Sequence, residues 1–157
     1  MSATQIVPIV IRTRGPRFAR LGYEDREEIH AVLNAYGRLY DDNRMDDFLG
    51  LLTDEAVFYP NWPGMAPDEV RGIKAIAEFF GSWRAHAVQN NIESRHYATN
   101  VLITHADEDS AQATLSMLYA EFADGKPEVK MTGQYDYQLV KQNGRWFIDR
   151  WSMRYDK

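Results

Sequence analysis

The stretch GQYDYQLVKQNGRWFI, residues 133–148, decides the fold class. Its Asn143-Gly144 dipeptide is a strong signal for a two-residue hairpin turn, because both residue types tolerate positive φ angles. Strand-like segments flank this turn at about residues 129–140 and 145–155, and two more lie upstream at about 94–104 and 112–122. Turn-forming residues separate the four segments at 106–109, 123–127 and 142–144. The second half of the chain therefore predicts a meander of four long strands.

The first half of the chain has a helical period instead. Ile29, Leu33, Tyr36 and Tyr40 fall on one face of a helix predicted over residues 24–40, whose first turn is acidic. Two shorter helices are predicted over residues 45–52 and 73–83, with a strand over 56–59 and irregular, proline-rich backbone from 60 to 67. Helices followed by strands predict an α+β fold, in which helices cover one face of a curved antiparallel sheet.

Length and composition indicate one domain with a packed interior. The 157 residues are 45% hydrophobic and 13% aromatic, with a net charge of −5 that argues against a nucleic-acid partner. No apolar run is long enough to span a membrane. The absence of cysteine excludes disulfides and thiolate catalysis, and it fits a cytoplasmic protein. Residues 23–157 are expected to form the domain, and residues 1–22 either a mobile terminus or an arm on a neighbouring subunit.

Asp41 and His96 are the residues best suited to chemistry. Asp41 ends the first predicted helix, one helical turn after Gly37, so a gap lies beside its carboxylate. His96 opens the first long strand and alternates with Ala98 and Asn100, whose small and polar side chains leave room for a ligand. A carboxylate and an imidazole that converge are sufficient to move a proton without a cofactor. Taken alone, each residue is more often an ordinary structural residue than a catalyst.

No metal or organic cofactor is expected. The other histidines are weaker candidates, because His30 lies on the first helix, His86 in a predicted loop and His105 at a strand end. No cluster of His, Asp or Glu has the spacing of metal ligands, and the sequence contains no glycine-rich phosphate loop.

Several further side chains are candidates to line a pocket. Tyr36, Tyr40 and Tyr59 could donate hydrogen bonds to a ligand, or they could fill an aromatic core. On the second long strand, one face carries an apolar row that continues into a glutamate; the row includes Met117, Tyr119 and Glu121. Glu121 is therefore either an inward ionisable group or the solvated end of the strand.

Together these features resemble the nuclear transport factor 2-like superfamily, and within it the SnoaL-like branch that includes scytalone dehydratase and hexachlorocyclohexane dehydrochlorinase. The resemblance covers about residues 24–153 and is carried by residues 36, 40–41, 45–48, 51–56, 72–76, 95–100, 133–136 and 143–146. It implies a cone-shaped fold, with three helices on a strongly bent antiparallel or mixed sheet that encloses an apolar pocket.

The resemblance also implies a site. In these lyases the catalytic pair is an aspartate at the end of helix one and a histidine early in the long strand, which match Asp41 and His96. Two tyrosines of the dehydratase match Tyr40 directly and Tyr59 after a one-residue gap. Where the dehydratase has a second histidine this chain has Glu121, and its pocket asparagine falls at Tyr135, so scytalone itself is not expected as the substrate.

Ketosteroid isomerase belongs to the same superfamily and offers a rival reading. Its tyrosine on helix one matches Tyr36, but its basic aspartate falls at about Tyr59, which cannot replace a carboxylate base near neutral pH. An isomerase that uses Asp41 therefore remains an alternative hypothesis.

Two functions from different classes follow. The first is a cofactor-independent lyase acting on a flat hydrophobic substrate, for which Trp62 and Phe80 supply aromatic surface. The second is a non-catalytic module like the small subunit of ring-hydroxylating dioxygenases. We also expect a homo-oligomer, a trimer before a dimer, because Trp146 and Trp151 on the last strand could supply an apolar sheet face for assembly.

Overall fold

The computed structural model describes residues 21–61, 68–123 and 125–156. Within these residues, three helices and six strands follow one another. They are α1 (Tyr23–Asp41), α2 (Met45–Leu49), β1 (Leu52–Tyr59), β2 (Val70–Arg71), α3 (Ile73–Gln89), β3 (Glu93–Ala106), β4 (Ser110–Ala123), β5 (Lys126–Gln142) and β6 (Arg145–Tyr155). The predicted arm over residues 1–22 lies almost wholly outside the described residues, and so does Trp62.

All six strands form one curved, mixed sheet in the order β2-β1-β6-β5-β4-β3. The four long strands make the predicted antiparallel meander, and Asn143 and Gly144 connect β5 to β6 with positive φ angles of 52° and 77°. β1 joins the meander by parallel pairing with β6. The predicted α+β class is confirmed, and the sheet is mixed because of this one parallel pair.

Several predicted boundaries were wrong. Helix α3 continues to Gln89, so His86 lies on a helix and not in a loop. Helix α2 ends at Leu49, and β1 already begins at Leu52, which had been assigned to the helix. The short strand β2 was not predicted, because a two-residue strand has no detectable sequence period.

Helix α1 packs its predicted apolar face on the sheet. Ile29, Leu33 and Tyr36 are buried there. Trp146 and Trp151 are each only 1% exposed, and their indole nitrogens donate hydrogen bonds to Asp25 and Tyr36, at 2.8 and 2.9 Å. Burial of one large apolar side chain contributes about 1.5–3 kcal/mol to stability. The two tryptophans therefore hold α1 on its own sheet, and the expectation that they supply an uncovered face for assembly was wrong.

Of the helices that the structure describes, none combines the length and the hydrophobicity that crossing a membrane requires.

Candidate active site

Asp41 is the last residue of α1, and its side chain is 1% exposed. The helix dipole disfavours an anion at this end. Three donors from β3 compensate for it: the backbone N–H of His96 at 2.6 Å, Nδ1 of His96 at 2.7 Å, and the hydroxyl of Ser94 at 3.3 Å. The expected convergence of a helix end and a strand start is therefore present, and it fixes the carboxylate against the imidazole.

Gly37 allows this close approach of α1 and β3. A Cβ atom at position 37 would lie 2.7 Å from Cβ of His96, which is closer than such atoms pack. The gap that the sequence suggested beside Asp41 is thus occupied by His96 itself.

The imidazole of His96 lies between two tyrosines. Its ring centroid is 5.7 Å from that of Tyr40 and 4.7 Å from that of Tyr119. Because the carboxylate of Asp41 can only accept a hydrogen bond, the network assigns the proton to Nδ1 of His96. Nε2 then carries the lone pair, and no described residue forms a hydrogen bond with it.

His96 borders a cavity of about 530 Å³. This volume lies within the range of about 300–1,000 Å³ that is typical of small-molecule sites. Most of the lining is aromatic or thioether: Tyr36, Tyr40, Phe58, Phe79, Phe80, Trp83, Met117, Met131, Tyr135 and Met153. The cavity therefore suits a small ligand that is largely hydrophobic.

A polar group of side chains stands at one side of this cavity. The hydroxyl of Tyr119 donates to Glu121 at 3.0 Å, and Nζ of Lys130 lies 3.8 Å from the same carboxylate. Lys130 is the extra residue of a bulge, because Tyr119 pairs with Met131 while Ala120 pairs with Val129. Bulges redirect side chains in this way, and both Lys130 and Met131 line the cavity as a result.

Two tyrosine hydroxyls near His96 keep their protons at neutral pH. Burial raises the pKa of Tyr40 to about 12, an effect that Asp41 reinforces and the Arg84 cation opposes. Burial also raises the pKa of Tyr119 well above its ordinary value, helped by the hydrogen bond and the negative charge of Glu121. Both groups are therefore hydrogen-bond donors beside the imidazole.

Of the eleven predicted site residues that the structure describes, eight line this cavity, Asp41 contacts one of those eight, and two are elsewhere. Tyr36, Tyr40, Phe80, Met117, Tyr119, Glu121 and Tyr135 line it with His96. Tyr59 lies on the other face of β1, in a separate depression with Thr104 and Arg150, because neighbouring strand residues point to opposite faces and Phe58 takes the inner one.

Asn100 was expected on the face of His96, and that placement was wrong. The register of β3 against β4 shifts between Thr99 and Leu102, and Asn100 takes a positive φ of 55° in this bulge. The bulge reverses the alternation, so that Asn100 and Leu102 are exposed while Ile103 is buried.

Arg84 and Ser94 are site residues that the sequence reasoning missed. Arg84 lies one helical turn after Phe80 on α3, in the part of the helix that the prediction ended too early. Ser94 precedes His96 by two residues and thus shares its strand face. The helical spacing from Phe80 and the strand alternation from His96 would have placed Arg84 and Ser94 at the site if the length of each element had been known.

Within residues 21–61, 68–123 and 125–156, no group of three or more His, Asp or Glu side chains could hold a metal ion.

Comparisons with known proteins agree on the family and the fold. A family model described as the SnoaL-like domain matches residues 23–152. A search of curated proteins finds no significant match. Many solved structures match, and three of them, all below 25% identity, illustrate the shared fold. A candidate aromatic ring hydroxylase from Novosphingobium aromaticivorans has 24% identity and a TM-score of 0.73, over 88% of this chain and 93% of its own.

The other two structures come from the same organism. A protein described as nuclear transport factor 2-like, with a cystatin-like fold, has 19% identity and a TM-score of 0.72, over 83% of this chain and 80% of its own. The beta subunit of a candidate aromatic-ring-hydroxylating dioxygenase has 17% identity and a TM-score of 0.68, over 85% of this chain and 90% of its own.

Proposed function

The chain belongs to the SnoaL-like domain family, and from that premise we propose that it is a cofactor-independent lyase in which Asp41 and His96 act as a proton-transfer pair. The observation that carries the proposal is the 2.7 Å contact between Nδ1 of His96 and the buried carboxylate of Asp41 at the wall of a largely apolar cavity. A purely structural hydrogen bond would not require the imidazole to border open space.

The proposed reaction is an elimination. Nε2 of His96 removes a proton from carbon, the electrons of that C–H bond form a double bond, and a leaving group departs from the adjacent carbon with its own bonding pair. Asp41 holds the imidazole in the required tautomer and stabilises the imidazolium that forms. If hydroxide leaves, the imidazolium returns the proton to it, and water is the second product.

Tyrosine hydroxyls support the leaving group in this scheme. Tyr40 and Tyr119 flank the imidazole and stay protonated, so Tyr40 can donate a hydrogen bond to a departing oxygen, and Tyr119 can do so by turning its proton away from Glu121. From the sequence, Tyr59 was also a candidate to donate a hydrogen bond to the ligand. Because Tyr59 lies on the opposite face of β1, we assign the role to Tyr119 instead.

The substrate class follows from the lining. Seven aromatic and three methionine side chains surround the apolar part of the cavity, and Tyr119, Glu121 and Lys130 supply one polar side. We therefore propose a small hydrophobic substrate, aromatic or polycyclic, that carries an oxygen substituent.

A non-catalytic role is the second candidate, because the fold is also that of a dioxygenase beta subunit in the comparisons. In that case the chain would assemble with a larger catalytic subunit, and the Asp41–His96 contact would only stabilise the fold. An isomerase with the same proton-transfer pair is the third candidate, and it differs from a lyase in its product.

One experiment separates these functions. The purified protein is incubated in D₂O with a panel of aromatic and polycyclic alcohols and ketones, with and without a chelator, and products are identified by mass spectrometry. A lyase releases water and gives an unsaturated product, and the chelator has no effect. An isomerase gives a product of unchanged composition that contains deuterium. Binding without turnover for every compound that occupies the cavity would contradict the enzyme and favour the subunit.

A further inference from the structure

Arg84 is a buried cation that the proposed reaction does not use. It lies on α3 and is 9% exposed, and its guanidinium carbon lies 5.9 Å from the ring centroid of Tyr40. Its only hydrogen bond to a described residue is from Nη1 to the hydroxyl of Ser94, at 3.4 Å, and Nε has no partner among those residues. A buried guanidinium without a carboxylate partner is unusual and calls for an explanation.

Ser94 connects this cation to the proton-transfer pair. Its buried hydroxyl accepts the bond from Arg84 and donates its own proton to Oδ1 of Asp41 at 3.3 Å. A hydroxyl has one proton and two lone pairs, so it can accept from one group while it donates to another. The same Oδ1 accepts a hydrogen bond from Nδ1 of His96 at 2.7 Å. Arg84 therefore donates to Ser94 and Ser94 donates to Asp41, with no hydroxyl proton used twice.

Stability alone does not account for Arg84. Removing a charge from water is unfavourable, and replacement of buried ionic groups by well-packed apolar side chains is often neutral or stabilising. The guanidinium also lies behind Tyr40 and is not part of the cavity lining, so it is not a direct ligand-binding group. What its position does offer is a fixed positive charge that is connected to Asp41 through one hydroxyl group.

We propose that Arg84 is a positioning residue for the Asp41–His96 pair, and that Ser94 relays its charge. The positive charge stabilises the state in which Asp41 is ionised and His96 is neutral, over the state in which both are charged. A neutral imidazole is the form that can accept a proton from carbon. The inference rests on the proposed function for its purpose, but its electrostatic content can be measured without any substrate.

Several charged and titratable groups surround the Asp41–His96 pair. They are Asp41 and Tyr40 on α1, Arg84 on α3, Tyr119 and Glu121 on β4, and Lys130 on β5. Glu121 opposes the effect of Arg84, but it is paired with Lys130 and partly exposed, so solvent screens it more strongly. Arg84 is the most buried cation of this set.

The test is the pH titration of the His96 imidazole, followed by NMR in protein labelled with ¹⁵N-histidine and assigned with His96→Gln. Arg84→Met removes the charge and keeps an unbranched side chain, and we expect it to move the titration upward by about one pH unit. Unit charges roughly 8 Å apart at an effective dielectric constant of about 20 would give about 1.5 pH units, and partial exposure of the imidazole to solvent reduces this toward one. Arg84→Lys should restore most of the wild-type midpoint, and Ser94→Ala should give a smaller upward shift.

The matched control is Arg38→Met. Arg38 is also an arginine near this end of α1, but its side chain is 72% exposed and paired with Asp42, so solvent should reduce its effect to less than about 0.3 pH unit. An unchanged titration in folded Arg84→Met, or an equal shift in Arg38→Met, would overturn the proposal.

The proposal stays testable if Arg84→Met does not fold. Arg84→Gln, which can still donate a hydrogen bond to Ser94 but has no charge, then decides it, since an upward shift supports the electrostatic role of Arg84 and a wild-type midpoint overturns it. All of these measurements use the protein without substrate. A failure of the lyase hypothesis would therefore leave the titration result intact, and a failure of the titration would not by itself remove the lyase.

Discussion

Gly37→Ala should damage the site while it improves the helix. A Cβ atom at position 37 would lie 2.7 Å from Cβ of His96, whereas ordinary contacts begin at 3.4 Å, so α1 and β3 must separate locally by about 0.7 Å. Alanine in a helix interior gains roughly 0.5–1 kcal/mol over glycine. Overpacking costs about 1–3 kcal/mol. We therefore expect a net loss of about 1 kcal/mol in the free energy of unfolding.

The larger consequence is for the contact between His96 and Asp41. A separation of that size would lengthen the 2.7 Å hydrogen bond toward the limit at which it is lost. Misplacement of a catalytic group by about 1 Å can reduce a rate about 10²-fold. Gly37→Ala should thus lose turnover far out of proportion to its change in stability.

Gly81→Ala is the matched control for this prediction. Gly81 lies inside α3, and a Cβ atom there would meet nothing within 4 Å, so alanine should stabilise the protein by roughly 0.5–1 kcal/mol. Urea unfolding of both variants, together with the Nδ1–H signal of His96 in NMR spectra, measures the two effects. Equal stabilisation by both substitutions, with the His96 signal unchanged, would refute the steric account of Gly37.

Two further predictions follow from the same geometry, and a third, on assembly, now rests only on the family resemblance. Tyr40→Phe should slow turnover by about 2- to 10-fold, since one neutral hydrogen bond contributes about 0.5–1.5 kcal/mol, whereas Tyr59→Phe on the opposite face should leave turnover unchanged. The pKa of Tyr40 rises from 10.0 in the unfolded chain to about 12 on folding. Its contribution to stability is therefore full below pH 10 and falls by about 1.4 kcal/mol per pH unit between pH 10 and 12. Alkaline unfolding followed by circular dichroism would detect this loss. Light scattering should find a homo-oligomer, a trimer before a dimer, and a stable monomer at micromolar concentration would count against it.

Sequence patterns predicted the elements well where a strong period or a specific turn was present. Asn143-Gly144 identified the last hairpin, and the spacing of Ile29, Leu33 and Tyr36 identified the buried face of α1. Asp41 and His96 were also found, because a resemblance in order and spacing placed them at elements that converge.

The predicted residue positions that were wrong lie mostly at irregularities of the backbone. One extra residue near Asn100 and another at Lys130 reverse the faces of β3 and β5, and a pattern of alternation contains no sign of such a bulge. Tyr59 was misplaced because the resemblance matched it only after a one-residue gap, and one residue changes the face of a strand. Arg84 was missed because it lies just beyond the predicted end of α3, and its contact with Ser94, ten positions away, follows no local motif.

The comparison of wild type with His96→Ala, on a substrate identified in the product screen, tests the central claim most directly. We expect turnover to fall by about 10²–10⁴-fold, while circular dichroism and ligand binding show that the fold and the cavity remain. Asp41→Asn, which keeps the shape of the side chain but removes its charge, should be impaired in the same direction. Full turnover by folded His96→Ala would contradict the mechanism, and loss of folding in that variant would indicate that the Asp41–His96 contact is structural.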